Sequence, residues 1–205
     1  MPEIAVLTGD IINSRGHNAS KWIDNLKAFL GNYGESPIDW EIYRGDEFQL
    51  RTTPGNALKT AFQVKALVRQ VKSLDVRIAI GIGTENYRGS RVGESNGPAY
   101  QHSGKAFEFL KQEKKTLRVT SGRAGADQTL NLILALTLNF MDEWSPVSAE
   151  VMTLVLARPE ASQEELAGEL NIKQSAVSQR LKRARKDLVA EVLSYYSKTF
   201  MTETP

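Results

Sequence analysis

Tyr43-Arg44-Gly45-Asp46-Glu47-Phe48-Gln49-Leu50 is the stretch whose reading decides the first half of the chain. Bulky residues of the kind that strands favour lie on both sides, at 40–44 and 48–51, and Gly45-Asp46 between them is a hairpin signal. The turn therefore holds two neighbouring carboxylates, Asp46 and Glu47, at the mouth of a two-stranded ribbon. A third, Asp10, follows the apolar run Ile4-Ala5-Val6-Leu7 in the same way. Acids at the ends of two different strands suit a hard divalent cation, Mg²⁺ or Mn²⁺, which takes oxygen ligands and keeps phosphates nearby. The plainer alternative is a Gly-Asp turn beside a solvated strand residue.

Working outward, Ile4–Leu7 reads as a buried central strand, ended by Thr8-Gly9-Asp10, with Asn13-Ser14-Arg15-Gly16 as a polar loop. Gly9 permits close backbone approach, and Arg15 is a forked donor suited to phosphate oxygens. Trp22, Ile23, Leu26, Phe29 and Leu30 recur at helical spacing, predicting a helix over 20–30. A second helix is predicted from Ala57 to Val71 after Thr53-Pro54-Gly55-Asn56, then a β-branched strand over 76–83. Strand, helix, strand-turn-strand, helix, strand is the ferredoxin-like βαββαβ order. In that topology the first and third strands are antiparallel neighbours, so Asp10 falls beside Asp46. Two carboxylates that close repel each other unless a cation lies between them or one is protonated.

The polar stretch 83–97 reads either as a flap over a ligand or as a surface loop. Gly81 and Gly83 follow a strand but lack the third glycine of a dinucleotide fingerprint. After a helix containing Ala106, Phe107, Phe109 and Leu110 and a last strand over 117–120, Ser121-Gly122-Arg123-Ala124-Gly125 marks a boundary. The expected organisation is an α+β domain at 1–122 followed by an all-α domain at 123–205.

In the second part, helices are predicted around 130–141 and 147–157. Ser162-Gln163-Glu164-Glu165 is a capping box opening a short helix. Asn171 is a turn residue, and a basic helix over 174–186 buries Val177, Leu181 and Ala184. Six Lys/Arg and no acid lie between Ile172 and Lys186 on a chain whose net charge is only +2. Short helix, tight turn and basic helix make a helix-turn-helix. Gln174, Ser175, Ser178 and Gln179 occupy the positions that reach base edges, and Arg180, Lys182, Arg183 and Arg185 those that reach phosphates. A solvated basic helix in an ordinary bundle is the rival reading. The apolar-rich segment 188–200 packs on the same domain or pairs with a second subunit.

Composition sets outer bounds. Hydrophobic content of 41% and charged content of 24% are ordinary for a globular chain, and two histidines with no cysteine exclude disulfides and thiolate or histidine-rich metal sites. With no signal-peptide pattern and no span of membrane length, a cytoplasmic protein is expected.

Several of these motifs together resemble known families. Asp10 after a strand, Arg44-Gly45-Asp46-Glu47-Phe48 on a hairpin and Arg77-Ile78-Ala79-Ile80-Gly81-Ile82-Gly83 are similar to the palm-type catalytic domain of class III and GGDEF nucleotide cyclases. The opening Thr8-Gly9-Asp10-Ile11-Ile12-Asn13-Ser14-Arg15, joined to a DNA-binding module, resembles the small bacterial SatD family. The run from Glu165 to Leu181 is similar to the helix-turn-helix of bacterial regulators and of sigma-factor region 4. The palm resemblance implies Asp10 and Asp46 as a metal pair with Glu47 as a further acid. It implies a nucleotide held by Gly9, by the backbone from Ile11 through Asn13 to Ser14, and by Arg15, Arg44, Gln101 and Lys105. Gln101 and Lys105 stand one turn apart, where class III cyclases carry Asn and Arg, and Lys lacks the planar fork of Arg. Arg44 stands where diguanylate cyclases carry glycine. The resulting expectation is a homodimeric transcription regulator that binds DNA and a nucleotide or related phosphate ligand. The alternative is an active cyclase or nucleotidyl transferase carrying a DNA-binding domain.

Overall fold

The computed structural model describes residues 2–17, 20 and 22–200. The chain forms β1 (Glu3–Ile12), α1 (Ile23–Leu30), β2 (Trp40–Tyr43), β3 (Glu47–Thr52), α2 (Pro54–Arg69), β4 (Asp75–Thr84), α3 (Pro98–Glu113) and β5 (Leu117–Thr120). Five further helices follow: α4 (Ala124–Met141), α5 (Pro146–Ala157), α6 (Gln163–Leu170), α7 (Gln174–Arg183) and α8 (Lys186–Phe200). The helix expected over 20–30 is found from Ile23; Lys21, in its expected first turn, lies outside the described residues.

The strands form one sheet in the order β2-β3-β1-β4-β5, antiparallel except for the β4–β5 pair. The molecule is thus mixed α+β, with a five-strand mixed sheet and eight helices among the described residues. β1 lies centrally, and its alternation separates two chemistries. Ala5, Leu7 and Ile11 point into a core shared with Phe48, Leu50, Ile78 and Ile80 and with the helices on that side. Ile4, Val6, Thr8 and Asp10 point to the other face, where α3 packs. Gly81 permits that packing: a Cβ there would lie 2.1 Å from the Ala99 carbonyl oxygen and 2.3 Å from the Ser103 amide nitrogen. Gly81 and Gly83 therefore serve helix-on-strand contact.

The hairpin turn begins one residue earlier than the sequence pattern implies. Arg44 and Gly45 both take positive φ (55° and 88°), so Tyr43 pairs with Glu47 across a three-residue turn, and Glu47 is a strand residue. The loop after β4 is fastened down. Arg88 pairs with Asp39 at 2.7 Å, Arg91 with Glu41, the Val92 amide donates to the Pro37 carbonyl, and Val92 is fully buried.

The turn at Gly122 leads into helices that share the sheet's core. One buried cluster runs from Ala5 and Leu7 through Phe62 and Val64 of α2 to Leu134, Met152, Val177 and Tyr196. Polar links accompany it. Gln63 of α2 donates to the Leu156 carbonyl (3.1 Å), Gln70 to Thr153 (2.8 Å), and the Tyr196 hydroxyl to the Pro54 carbonyl (2.6 Å). Arg69 donates through Nε and Nη2 to the Trp144 carbonyl, and the Trp144 indole donates to the Ala184 carbonyl just past α7.

Candidate functional site: a charged cleft and a basic helix pair

Register places the first site. Asp10 faces Glu47 on β3 and Arg77 on β4, and directly opposed residues of antiparallel strands share a face. Arg77 Nη1 lies 2.8 and 3.1 Å from the two carboxylate oxygens of Asp10. The Arg77 Nε is buried with no hydrogen-bond partner. Glu47 meets Lys111 of α3 at 3.4 Å and, more loosely, Arg44 at 3.9 Å. Lys111 also stands 4.3 Å above the Phe107 ring. Asp46 accepts a 2.6 Å hydrogen bond from the Ser14 hydroxyl. Partial burial pushes the Asp10 carboxyl above its usual range; the Arg77 and Lys111 charges oppose this, and Asp46 and Glu47 add to it.

Asp10 and Asp46 line a single cleft of about 550 Å³, together with the Ile11–Arg15 segment, His17, Ser73 and Arg77. The other expected ligand-binding residues are scattered. The Ile11 amide donates to the Asp46 carbonyl, and the Asn13 side chain to the Ser73 carbonyl. Arg15 is exposed on the cleft wall. Gly9 faces the core, where a Cβ would lie 2.5 Å from the Phe48 ring and 2.7 Å from the Arg77 carbonyl; the close approach it permits is to protein. Arg44 is exposed beyond the turn, and Gln101 and Lys105 are exposed on α3, outside the residues that line the cleft. Arg77 and Lys111 were not anticipated. Strand alternation gives Arg77 a face, but only the inter-strand register gives it Asp10 as a partner.

Among the described residues no three His, Asp or Glu side chains converge as a ready-made metal cage. The donors present are nonetheless hard oxygens, and Mg²⁺ is commonly held by one or two carboxylates plus phosphates and water. Asp10 and Asp46 fit that mode once the Arg77 guanidinium gives way.

The second site is built by α6 and α7. The Ser162 side chain accepts from the Glu165 amide, and the Glu165 carboxylate accepts from the Ser162 amide at 2.7 Å, completing the capping box. This bond holds the Glu165 carboxyl below its ordinary range. Asn171 turns the chain in the left-handed region (φ 51°), and Leu166, Ala167, Val177 and Leu181 join the two helices in the core. Gln174, Ser175, Ser178 and Gln179 are exposed on the first two turns of α7. Gln174 donates to Gln163 at 2.5 Å. Lys182, Arg183 and Arg185 are exposed, whereas Arg180 turns inward to Glu150 of α5 at 2.8 Å. The helix expected to run to Lys186 ends at Arg183, because Arg185 takes a positive φ of 56° and separates α7 from α8. Lys182, Arg185 and Lys186 line a polar groove with Ser162, Gln163 and Ser178.

These observations define an α+β protein with a charged cleft at the end of the central strand β1 and a pair of helices, α6 and α7, of which α7 packs on α5. Within that class the chain belongs to the SatD family, whose family model matches residues 4–189. Comparison with curated proteins gave no match. Among the described residues no helix is long and apolar enough to cross a membrane.

Proposed function

We propose that this SatD-family chain is a DNA-binding transcriptional regulator whose palm-like sheet domain takes a nucleotide or related phosphate ligand together with Mg²⁺ or Mn²⁺. The observation that carries the ligand half is that Asp10 and Asp46, far apart in sequence, line one cleft with Ser14 and Arg15. The β2-β3-β1-β4 order, with β1 and β3 antiparallel, supports the palm reading. The DNA half rests on α6 and α7, joined by a three-residue turn and presenting Gln174, Ser175, Ser178 and Gln179 outward. Lys182, Arg183 and Arg185 supply phosphate contacts, and Arg180 positions α7 through Glu150.

In the ligand-free chain, Arg77 neutralises Asp10. A divalent cation competes for the same oxygens, and a phosphate arriving with it offers the guanidinium a new partner. Arg77 then moves from carboxylate to phosphate. β4 carries Arg77 and packs directly on α2, so a shift there reaches the hydrogen bonds from Arg69 to Trp144 and from Trp144 to Ala184 at the end of α7. A coupling of about 1–3 kcal/mol between the two sites is enough for a useful response.

Gel-shift titrations with and without Mg²⁺ and a panel of purine nucleotides test this reading. DNA affinity should change about 5- to 150-fold with the cognate nucleotide, and an unchanged affinity across the panel removes the sensor. Pyrophosphate released from ATP or GTP, and lost in Asp46→Asn, would instead make the cleft catalytic.

A further inference from the structure

The outer edge of β5 is closed by side chains of α4. Ile78 on β4 donates its amide to the Thr116 carbonyl at 2.8 Å. In this parallel ladder Thr116, Arg118 and Thr120 therefore turn their backbone groups to β4, and Leu117, Val119 and Ser121 turn theirs outward. α4 runs back along that edge. The Ser121 amide donates to the Asp127 carboxylate at 2.9 Å. The Val119 amide donates to Asn131 Oδ1 at 2.9 Å, and Asn131 Nδ2 donates to the Val119 carbonyl at 2.7 Å. One carboxamide thus meets both backbone groups of one strand residue.

Helix and strand keep step here. Four residues of helix rise about 6 Å and two residues of strand about 6.6 Å, so helix positions four apart fall opposite successive outward strand residues. Asp127 meets Ser121, Asn131 meets Val119, and the next rung sets Ala135 against Leu117. A methyl group offers nothing to the N–H and C=O of Leu117. At that rung lies a cavity of about 340 Å³, bounded by Leu117 and Ala135, with Leu110 and Leu138 as apolar lining. Phe109 forms another part of the wall, with the Arg118 guanidinium 4.3 Å from its ring centre. The charges at the mouth nearly cancel, Lys114, Lys115 and Arg118 against Asp142 and Glu143, which suits a neutral ligand.

We infer that this cavity binds a small neutral molecule carrying a primary carboxamide or a ring lactam, held by the backbone of Leu117 as the Asn131 side chain is held by that of Val119. Both groups present an N–H and a C=O side by side. A trans peptide group points the two in opposite directions, and Asn131 already occupies the edge at Val119, so an added strand has no place there. A volume of this size is at the small end of ligand pockets. The inference stands apart from the nucleotide and DNA readings, because neither site shares a residue with this cavity.

The experiment follows backbone amide signals of the full ¹⁵N-labelled chain by NMR during titration with benzamide, and separately with N,N-dimethylbenzamide, which keeps the ring and carbonyl but has no N–H. Benzamide should shift the Leu117 amide with a dissociation constant on the order of 1 mM, and the dimethyl compound should leave it in place. Ala135→Asn supplies the third carboxamide from the helix itself and should weaken benzamide binding about tenfold or more. Ala135→Leu, which fills the cavity with an apolar chain, should do the same, and both variants should keep the far-UV spectrum of the wild type. A Leu117 amide that ignores benzamide, or that answers the dimethyl compound as strongly, overturns the inference. Undiminished benzamide binding in either folded variant overturns it equally.

Discussion

Arg77 Nη1 reaches both oxygens of Asp10, while its buried Nε meets no acceptor. Such a guanidinium is well placed to neutralise an acid yet is not fully tied down. If it competes with a divalent cation, Arg77→Met should be less stable in metal-free buffer but should gain more melting temperature per increment of Mg²⁺ than wild type. Asp10→Ala should gain none; thermal-shift titration measures both. Tyr100 gives a separate test on the same face of the sheet. Its hydroxyl donates to Glu85 at 2.7 Å, and burial, with that bond, raises it to about 12 from an ordinary 10.0. A raised folded-state value contributes stability fully below pH 10 and loses it as pH rises toward 12. Tyr100→Phe should therefore cost about 1–3 kcal/mol at neutral pH. The gap to wild type should narrow between pH 10 and 12, as read by urea titrations across that range. Asp46 was legible as a turn acid, whereas Asp10, read as ending the first strand, lies inside β1, and the partner of neither was legible. Arg77 reaches Asp10 from β4 and Ser14 reaches Asp46 from the loop after β1, and no local pattern encodes either meeting.

At the scale of elements, close approach and capping matter most. Placing a methyl at Gly81 would push α3 off β4, because the obstructing atoms are helix backbone and cannot rotate away. Gly81→Ala should lose about 1–3 kcal/mol in chemical denaturation, whereas Gly104→Ala, with open space around its Cβ, should lose none. In the paired helices, the proposed phosphate contact of Lys182 predicts that Lys182→Ala flattens the salt dependence of DNA binding by about one ion. Arg180→Ala should instead leave that slope unchanged while lowering the melting temperature, since Glu150 already holds its guanidinium. The sequence made the capping box and the buried phase of α7 plain, because both are local. The pairing of Arg180 was not legible for the opposite reason: helical periodicity turns it partly outward, and the distant Glu150 of α5 draws it back. The surroundings of Gly9 were hidden similarly, the space of its missing side chain being filled by the Phe48 ring.

At the scale of the whole molecule, α2 is the common support. Ala57, Phe62 and Val64 lie in the cluster that spans the sheet and the helical half, and Lys65, 2% exposed, bridges Asp75 and Asp142 at 2.7 and 2.6 Å. Breaking such a pair by removing one partner is strongly destabilising. Two independently folding domains would melt in two steps. A core continuous across residue 122 should give one cooperative transition, with calorimetric and van't Hoff enthalpies agreeing. The sequence showed where composition changes but not that the two halves share a core, because no single segment displays which of its apolar residues will meet the other half.

The shared core therefore makes the chain an undivided body, unlike a string of exchangeable beads. A cut at the Gly122 turn would strip α2 of its outer cover and leave Phe62 and Val64 against water. Neither fragment should survive as a reporter of its own chemistry. For the same reason the sheet half cannot simply be transplanted onto a foreign helical half: recombination at that turn would have to carry α2's far surface with it.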